Sequence, residues 1–293
     1  MIHARGRELV ELATGYFPRE FDFTADADAG PFVLTAMLGR MIGTMKAIGA
    51  QHPAQLEADA GAAVRVLFEQ AVYLAWLAAD PSVERIQAWR KVDLKARLAA
   101  DNDGRAHGNP LFTDEQRADV EVQIAKLSGD RLVLASVAEE ADRHWAQKLP
   151  GMGGNGEAQS FRGLYAFVYR NYSGFTHSTY RGLHPVVVDL SSTRKQVRLE
   201  EPYEGSGPYG MATVIFGLSL LIAGSALGWP NGGDVVAIFE RNPRAASLGD
   251  VESTDVATGV PSPGFAALIQ GDPGDGERGD EVCPPPAEQG ISS

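Results

Sequence analysis

Apolar residues recur along most of the chain at helical spacing, and the pattern stops wherever proline, glycine or clustered acids take over. Residues 1–17 form a short amphipathic stretch, followed by the acidic loop PREFDFTADADAG. PFVLTAMLGRMIGTMKAIGA then sets Phe32, Met37, Met41, Met45 and Ile48 broadly on one side, and His52-Pro53 ends the helix. The next segment, AQLEADAGAAVRVLFEQAVYLAWLAAD (54–80), is Ala-rich and increasingly apolar, which predicts a core helix closed by Pro81. SVERIQAWRKVDLKARLAADND (82–103) reads as a charged amphipathic helix, with GRAHGNP (104–110) as a loop. Thr113 opens a further helix as an N-cap with acids in the first turn, and a break or bend falls near Ser128-Gly129. Residues 158–182 read as helical. PVVVDLSSTRKQVRLEEP (185–202) alternates around a polar turn like a hairpin, and a long apolar helix covers about 208–229.

The pattern therefore predicts an all-α protein: a bundle of about six to eight helices with one small β-hairpin. Residues 1–240 form the helical domain. Residues 241–293, rich in Gly, Pro and acids, form a tail that cannot bury enough apolar surface to offset its ordering entropy. Such a tail is expected to be disordered and offers a surface for a protein partner.

Charge sharpens this division. The formal net charge is −12, of which the segment from Glu240 onward carries −7 and the body −5. An acidic surface argues against non-specific nucleic-acid binding over the whole molecule but leaves room for a local basic patch. The single cysteine, Cys283, excludes an intramolecular disulfide and a cysteine-based metal site. MIHARGRELVEL carries charges throughout and has no apolar signal stretch, so the expected location is cytoplasmic. MATVIFGLSLLIAGSALGW (211–229) is uncharged and close to the ~20 residues a bilayer requires. Its three Gly and three Ser or Thr, and the lack of a flanking Lys/Arg cluster, favour a core helix, so no membrane partner is expected.

Few segments carry recognisable chemistry. GMGGNG (151–156) fits G-x-G-x-x-G but follows a helical segment rather than the buried strand a dinucleotide fingerprint needs, so it reads as a flexible connection. His107 and His144 are isolated from any metal spacing and read as surface or satisfied histidines. No nucleophile elbow or P-loop is present, and neither a metal nor another cofactor is expected. Arg65 and Glu69, four apart in an apolar helix, can pair on one face. A buried arginine there calls for a second partner from another helix, for which His177 and Tyr169 are the candidates.

Residues 158–199 stand out by charge, with six Lys or Arg against one acid, interleaved with tyrosine and phenylalanine. This composition suits single-stranded nucleic acid or another polyanion. Tyr169, Ser173, His177 and Arg181 follow one another at i+4 and form a polar stripe. Arg170 and His177 lie two turns apart, about 10 Å between α-carbons, and reach one phosphodiester only if the helix bends, as at Gly174, or two chains meet. Histidine can move the proton of a ribose 2′-hydroxyl and arginine can neutralise the phosphorane-like transition state.

Arg170, Asn171 and His177 resemble the R-x(4–6)-H signature of HEPN domains, all-helical modules in which a polar residue commonly follows the arginine. The resemblance implies a motif at the junction of the last helices, face-to-face homodimers and metal-independent ribonuclease activity on single-stranded RNA in toxin–antitoxin or anti-phage systems. It also implies catalytic roles for Arg170, Asn171 and His177, with Tyr172 and Ser173 orienting them. A second likeness runs over roughly residues 30–185. RVLFEQAVYLAWLAADP followed by Y-x-x-x-S-x-x-x-H is similar to a bacterial helical family of unknown function, which implies that Arg65, Glu69, Tyr169, Ser173 and His177 share a site. The alternative reading is a non-catalytic binding or scaffold module with a buried polar cluster.

Overall fold

The computed structural model of the chain describes residues 2–17, 29–51, 56–129, 132–149, 160–169, 172–173, 187–191, 194–197 and 207–241. Helices carry the architecture: α1 (Ile2–Tyr16), α2 (Ala29–Gln51), α3 (Glu57–Ala79), α4 (Val83–Ala106), α5 (Asp114–Lys126), α6 (Leu134–Lys148), α7 (Phe161–Leu164), α8 (Gly207–Leu227) and α9 (Gly232–Glu240). Helix α3 is the central member and packs against α2, α6 and α8. Its sequence explains the position, because Leu67, Phe68, Ala71, Val72, Leu74 and Ala75 are all fully buried. Each such Leu or Phe contributes about 1.5–3 kcal/mol relative to exposure. Trp145 of α6 is buried against α3 and donates its indole N–H to the Ala75 carbonyl at 2.8 Å, which fixes the depth of α6 on α3.

A second lock ties the α3–α4 turn to α6. Arg85 donates to the Trp76 carbonyl and to Glu140 Oε1, both at 2.6 Å, while the Trp76 indole donates to Glu140 Oε2 at 2.8 Å. The α4–α5 corner has its own ionic centre. Asp101, fully enclosed, accepts from the amides of Leu111 and Phe112 and from the guanidinium groups of Arg105 and Arg117, all within 2.7–2.9 Å. Thr113 and Gln116 complete a capping box at the start of α5. Gly129, at φ +93°, lies where a Cβ would meet that of Ala88 at 2.5 Å, so only glycine lets the chain pass this close to α4.

Among the described residues there are nine α-helices rather than six to eight; 113–145 divides into α5 and α6 around the expected break at Ser128-Gly129, and GGDVVAIFE forms the unexpected α9. Asn231 precedes α9 and donates to the Leu220 carbonyl at 3.0 Å, in space that a side chain on Gly224 would occupy. Val187–Ser191 (β1) pairs antiparallel with Arg194–Val197 (β2), Val187 opposite Val197 and Asp189 opposite Lys195. Residues 242–293, including Cys283, and the 151–156 glycine segment lie outside the described residues.

By length and composition, three helices rather than one are apolar enough to cross a membrane: Ala29–Gln51, Ala58–Ala79 and Gly207–Leu227. They pack on one another, and 50%, 56% and 67% of their respective apolar windows are buried inside the bundle. The expectation drawn from 211–229 alone understated this shared property of α2, α3 and α8.

Candidate functional site

Phe161, at the start of α7, is placed by two anchors. Ser160 caps α7 by accepting from the Gly163 amide at 2.8 Å. Asp142 of α6 accepts from the amides of Phe161 at 2.7 Å and Arg162 at 2.8 Å, satisfying two otherwise orphaned helix donors. Burial pushes the Asp142 carboxyl above its ordinary pKa, more than these hydrogen bonds lower it. Phe161 then packs on Phe68 of α3 with ring centroids 6.5 Å apart.

After α7 the helix widens into a π-helical turn over Tyr165–Tyr169. Such turns insert an extra residue into the helical repeat and recur at functional sites. Here the turn lays the Tyr165 and Tyr169 rings face to face, 4.8 Å between centroids and 13° from parallel. Tyr165 rests on Phe68 at 6.5 Å. Arg65 of α3 closes the inner end of the stack, its guanidinium carbon 4.3 Å from the Tyr169 ring centroid, and Arg162 lies over Tyr165 at 5.6 Å. The result is a cation–ring–ring–cation array running outward from α3.

Arg65 is fixed on two sides. Its Nε donates to Glu69 Oε1 at 3.2 Å and its Nη2 to the Tyr169 hydroxyl at 3.0 Å. The arginine side chain is 13% exposed and that of Glu69 37%, so the cation is enclosed while its acid faces outward. Tyr169 is thus the inter-helix partner a buried arginine requires. Having accepted from Arg65, its hydroxyl keeps a proton to donate, and a neighbouring cation strengthens that donor toward an anion. One turn beyond Glu69, burial first and the Glu69 charge second raise the Tyr73 phenol above its ordinary pKa.

The remaining expected site residues separate into two groups. Ser173 donates its hydroxyl to the Tyr169 carbonyl, and Tyr172 is buried in the hydrophobic core. Arg170, Asn171, His177 and Arg181 lie outside the described residues. His107 caps the end of α4 and is exposed. His144 departs from the expectation of a satisfied histidine, because its Nε2 is buried with no hydrogen-bond partner among the described residues. Burial, then the charges of Lys148 and Arg85, lower its pKa. Among the described residues no three His, Cys, Asp or Glu side chains converge as metal ligands. Arg162 and Tyr165, members of the array, and Asp142, which anchors the start of α7, were not singled out by residue spacing. The i, i+4 pair Tyr165–Tyr169 was visible, but nothing in the local composition marks a π turn.

The family model described as a family of unknown function (DUF5677) matches residues 32–195, more than half of the chain. The protein belongs to that family. The matched segment contains Arg65, Glu69 and the whole tyrosine array, whereas α1, α8 and α9 lie outside it. No curated protein and no solved structure matches the chain.

Proposed function

From membership of a family with no assigned reaction, we infer that the protein is a cytoplasmic, metal-independent endoribonuclease. It acts as a homodimer on single-stranded RNA in stress response or anti-phage defence. The observation that carries this reading is the Arg65–Tyr169–Tyr165–Arg162 array, which ends one residue before Arg170 in the chain. Basic groups interleaved with aromatic rings are what single-stranded nucleic acid engages, and Arg162 at the outer end of the stack is exposed. In the proposed reaction His177 removes the 2′-hydroxyl proton, the 2′-oxygen attacks phosphorus, and the bond to the 5′-oxygen breaks as that oxygen takes up a proton. Arg170 holds the charged phosphate oxygens and Asn171 orients the nucleotide. Arg65 is a positioning residue in this scheme: Glu69 already pairs with it, and its bond to Tyr169 anchors the residue that precedes Arg170 in the chain. Mutual burial of α2, α3 and α8 supports a core role for the three apolar helices over a bilayer one, and the acidic tail is assigned to a protein partner.

The pairing of Arg65 with Glu69 and Tyr169 favours one other reading, a non-catalytic module whose polar cluster holds helices in register. The two are separated by incubating purified protein with end-labelled single-stranded RNA in EDTA. Wild type is expected to release fragments ending in 2′,3′-cyclic phosphate, and His177→Ala is expected to release none. RNA left intact by folded wild type would favour the module.

A further inference from the structure

On the side of the bundle formed by α1, α2 and α8 lies a cavity of about 720 Å³, open to solvent. Two of its three walls come from helices outside the family-matched segment, and none of its residues belongs to the tyrosine array. Its volume is in the range of small-molecule sites, about 300–1,000 Å³. Val10, Met45, Ile48 and Ala212 supply a mainly apolar lining. Met45, Ile48 and Ala212 are also buried members of the core, so this floor is rigid rather than a chance surface dimple. Arg7 enters from α1 and Lys46 from α2, both exposed, and among the described residues neither makes an ion pair. Glu11 is the single acid of the lining. Two unpaired cations from different helices over an apolar floor form an amphipathic receptor of net positive sign, on a protein whose overall charge is −12.

We propose that this cavity binds a small amphipathic anion, with its apolar body seated on Val10, Met45, Ile48 and Ala212 and its anionic group between Arg7 and Lys46. The ligand class is a soluble molecule with a hydrocarbon or aromatic body and one carboxylate or sulfonate. The cavity shares no residue with the tyrosine array, so occupancy is independent of the RNA-cleaving assignment.

Gly15 provides a test that spares the fold. It is exposed and lines the cavity, and a Cβ there meets nothing within 4 Å, so a larger side chain can project into the space without displacing backbone. The probe is 1-anilinonaphthalene-8-sulfonate, titrated by fluorescence into the full chain, with dodecanoate, dodecanol and dodecyltrimethylammonium as competitors. Saturable binding is expected, displaced by dodecanoate and at least about tenfold less effectively by the neutral and cationic competitors, the scale of one charge-assisted contact. Gly15→Phe should abolish it, Arg7→Glu with Lys46→Glu should weaken it about tenfold or more, and Glu11→Gln should tighten it. Circular dichroism and thermal midpoint verify that each variant is folded. Equal affinity of Gly15→Phe and wild type, or displacement by dodecyltrimethylammonium as strong as by dodecanoate, overturns the proposal.

Discussion

Two arginine–carboxylate centres, built from the same chemical parts, serve the molecule differently. At the α4–α5 corner the acid is the enclosed partner. Asp101 is fully buried, and both of its oxygens are occupied by two backbone amides and by the guanidinium groups of Arg105 and Arg117. Burial alone would raise its pKa, but these four sets of donors hold the carboxyl well below the usual range. At α3 the cation is the enclosed partner. Arg65 is held by Glu69 and Tyr169, and the chain of contacts continues outward through Tyr165 to Arg162 at the surface. A centre whose donors and acceptors are all consumed internally fixes a corner. A centre that retains a phenolic proton and ends in an exposed guanidinium is equipped to meet a ligand.

Substitutions should separate the two roles, and the largest effect belongs to the corner. Asp101→Ala leaves two arginines and two amides facing an enclosed void, and the thermal midpoint should fall by roughly 10 °C while cleavage per folded molecule is unchanged. At the array the order reverses. Arg65→Met should cost about 1 kcal/mol in denaturant unfolding, yet on the proposed function lower RNA cleavage at least about tenfold because Tyr169 loses its anchor on α3. Tyr169→Phe removes a single hydroxyl, so a change within about 0.5–1.5 kcal/mol and a several-fold loss of cleavage are expected.

The smallest effects concern protons. A carboxylate whose folded pKa is depressed contributes stability above its unfolded pKa and loses it as pH falls through the folded value. Unfolding free energy should therefore decline below about pH 4 in wild type, and less steeply in Asp101→Asn. Asp142 is shifted in the opposite direction, mainly by burial. Its folded form holds the proton more tightly than the unfolded chain, so its contribution weakens as pH rises through the window between the two values. Carbon-detected carboxyl titrations should place Asp142 above and Asp101 below the ordinary aspartate range.

Periodicity exposed the central helices because α3 buries nearly a whole apolar run, and the four-residue spacing of Arg65 and Glu69 exposed their pairing. The long-range partner was narrowed to two residues, of which Tyr169 makes a contact at 3.0 Å and His177 lies outside the described residues. Asp101 was illegible. It sits among Ala and Asn in a charged helix; Arg105 stands four residues on at ordinary helical spacing, but the other partners are loop amides ten and eleven residues on and an arginine sixteen residues on, separations that no local pattern encodes. The π turn was hidden for a related reason, since Tyr165–Tyr169 has the spacing of an ordinary helical pair and only packing on Phe68 and Arg65 reveals the stacked geometry. Helix α9 was missed because its nine residues are too few for a periodic signal and its docking depends on Asn231 reaching Leu220.

The most direct test of the contrast is a single-turnover cleavage assay on single-stranded RNA in EDTA, run on wild type, Asp101→Asn and Tyr169→Phe, with the folded fraction of each measured in the same buffer. Per folded molecule, Asp101→Asn should cleave at the wild-type rate and Tyr169→Phe several-fold more slowly. Wild-type cleavage by Tyr169→Phe, or loss of cleavage in folded Asp101→Asn, would contradict the assignment of the tyrosine array to the site.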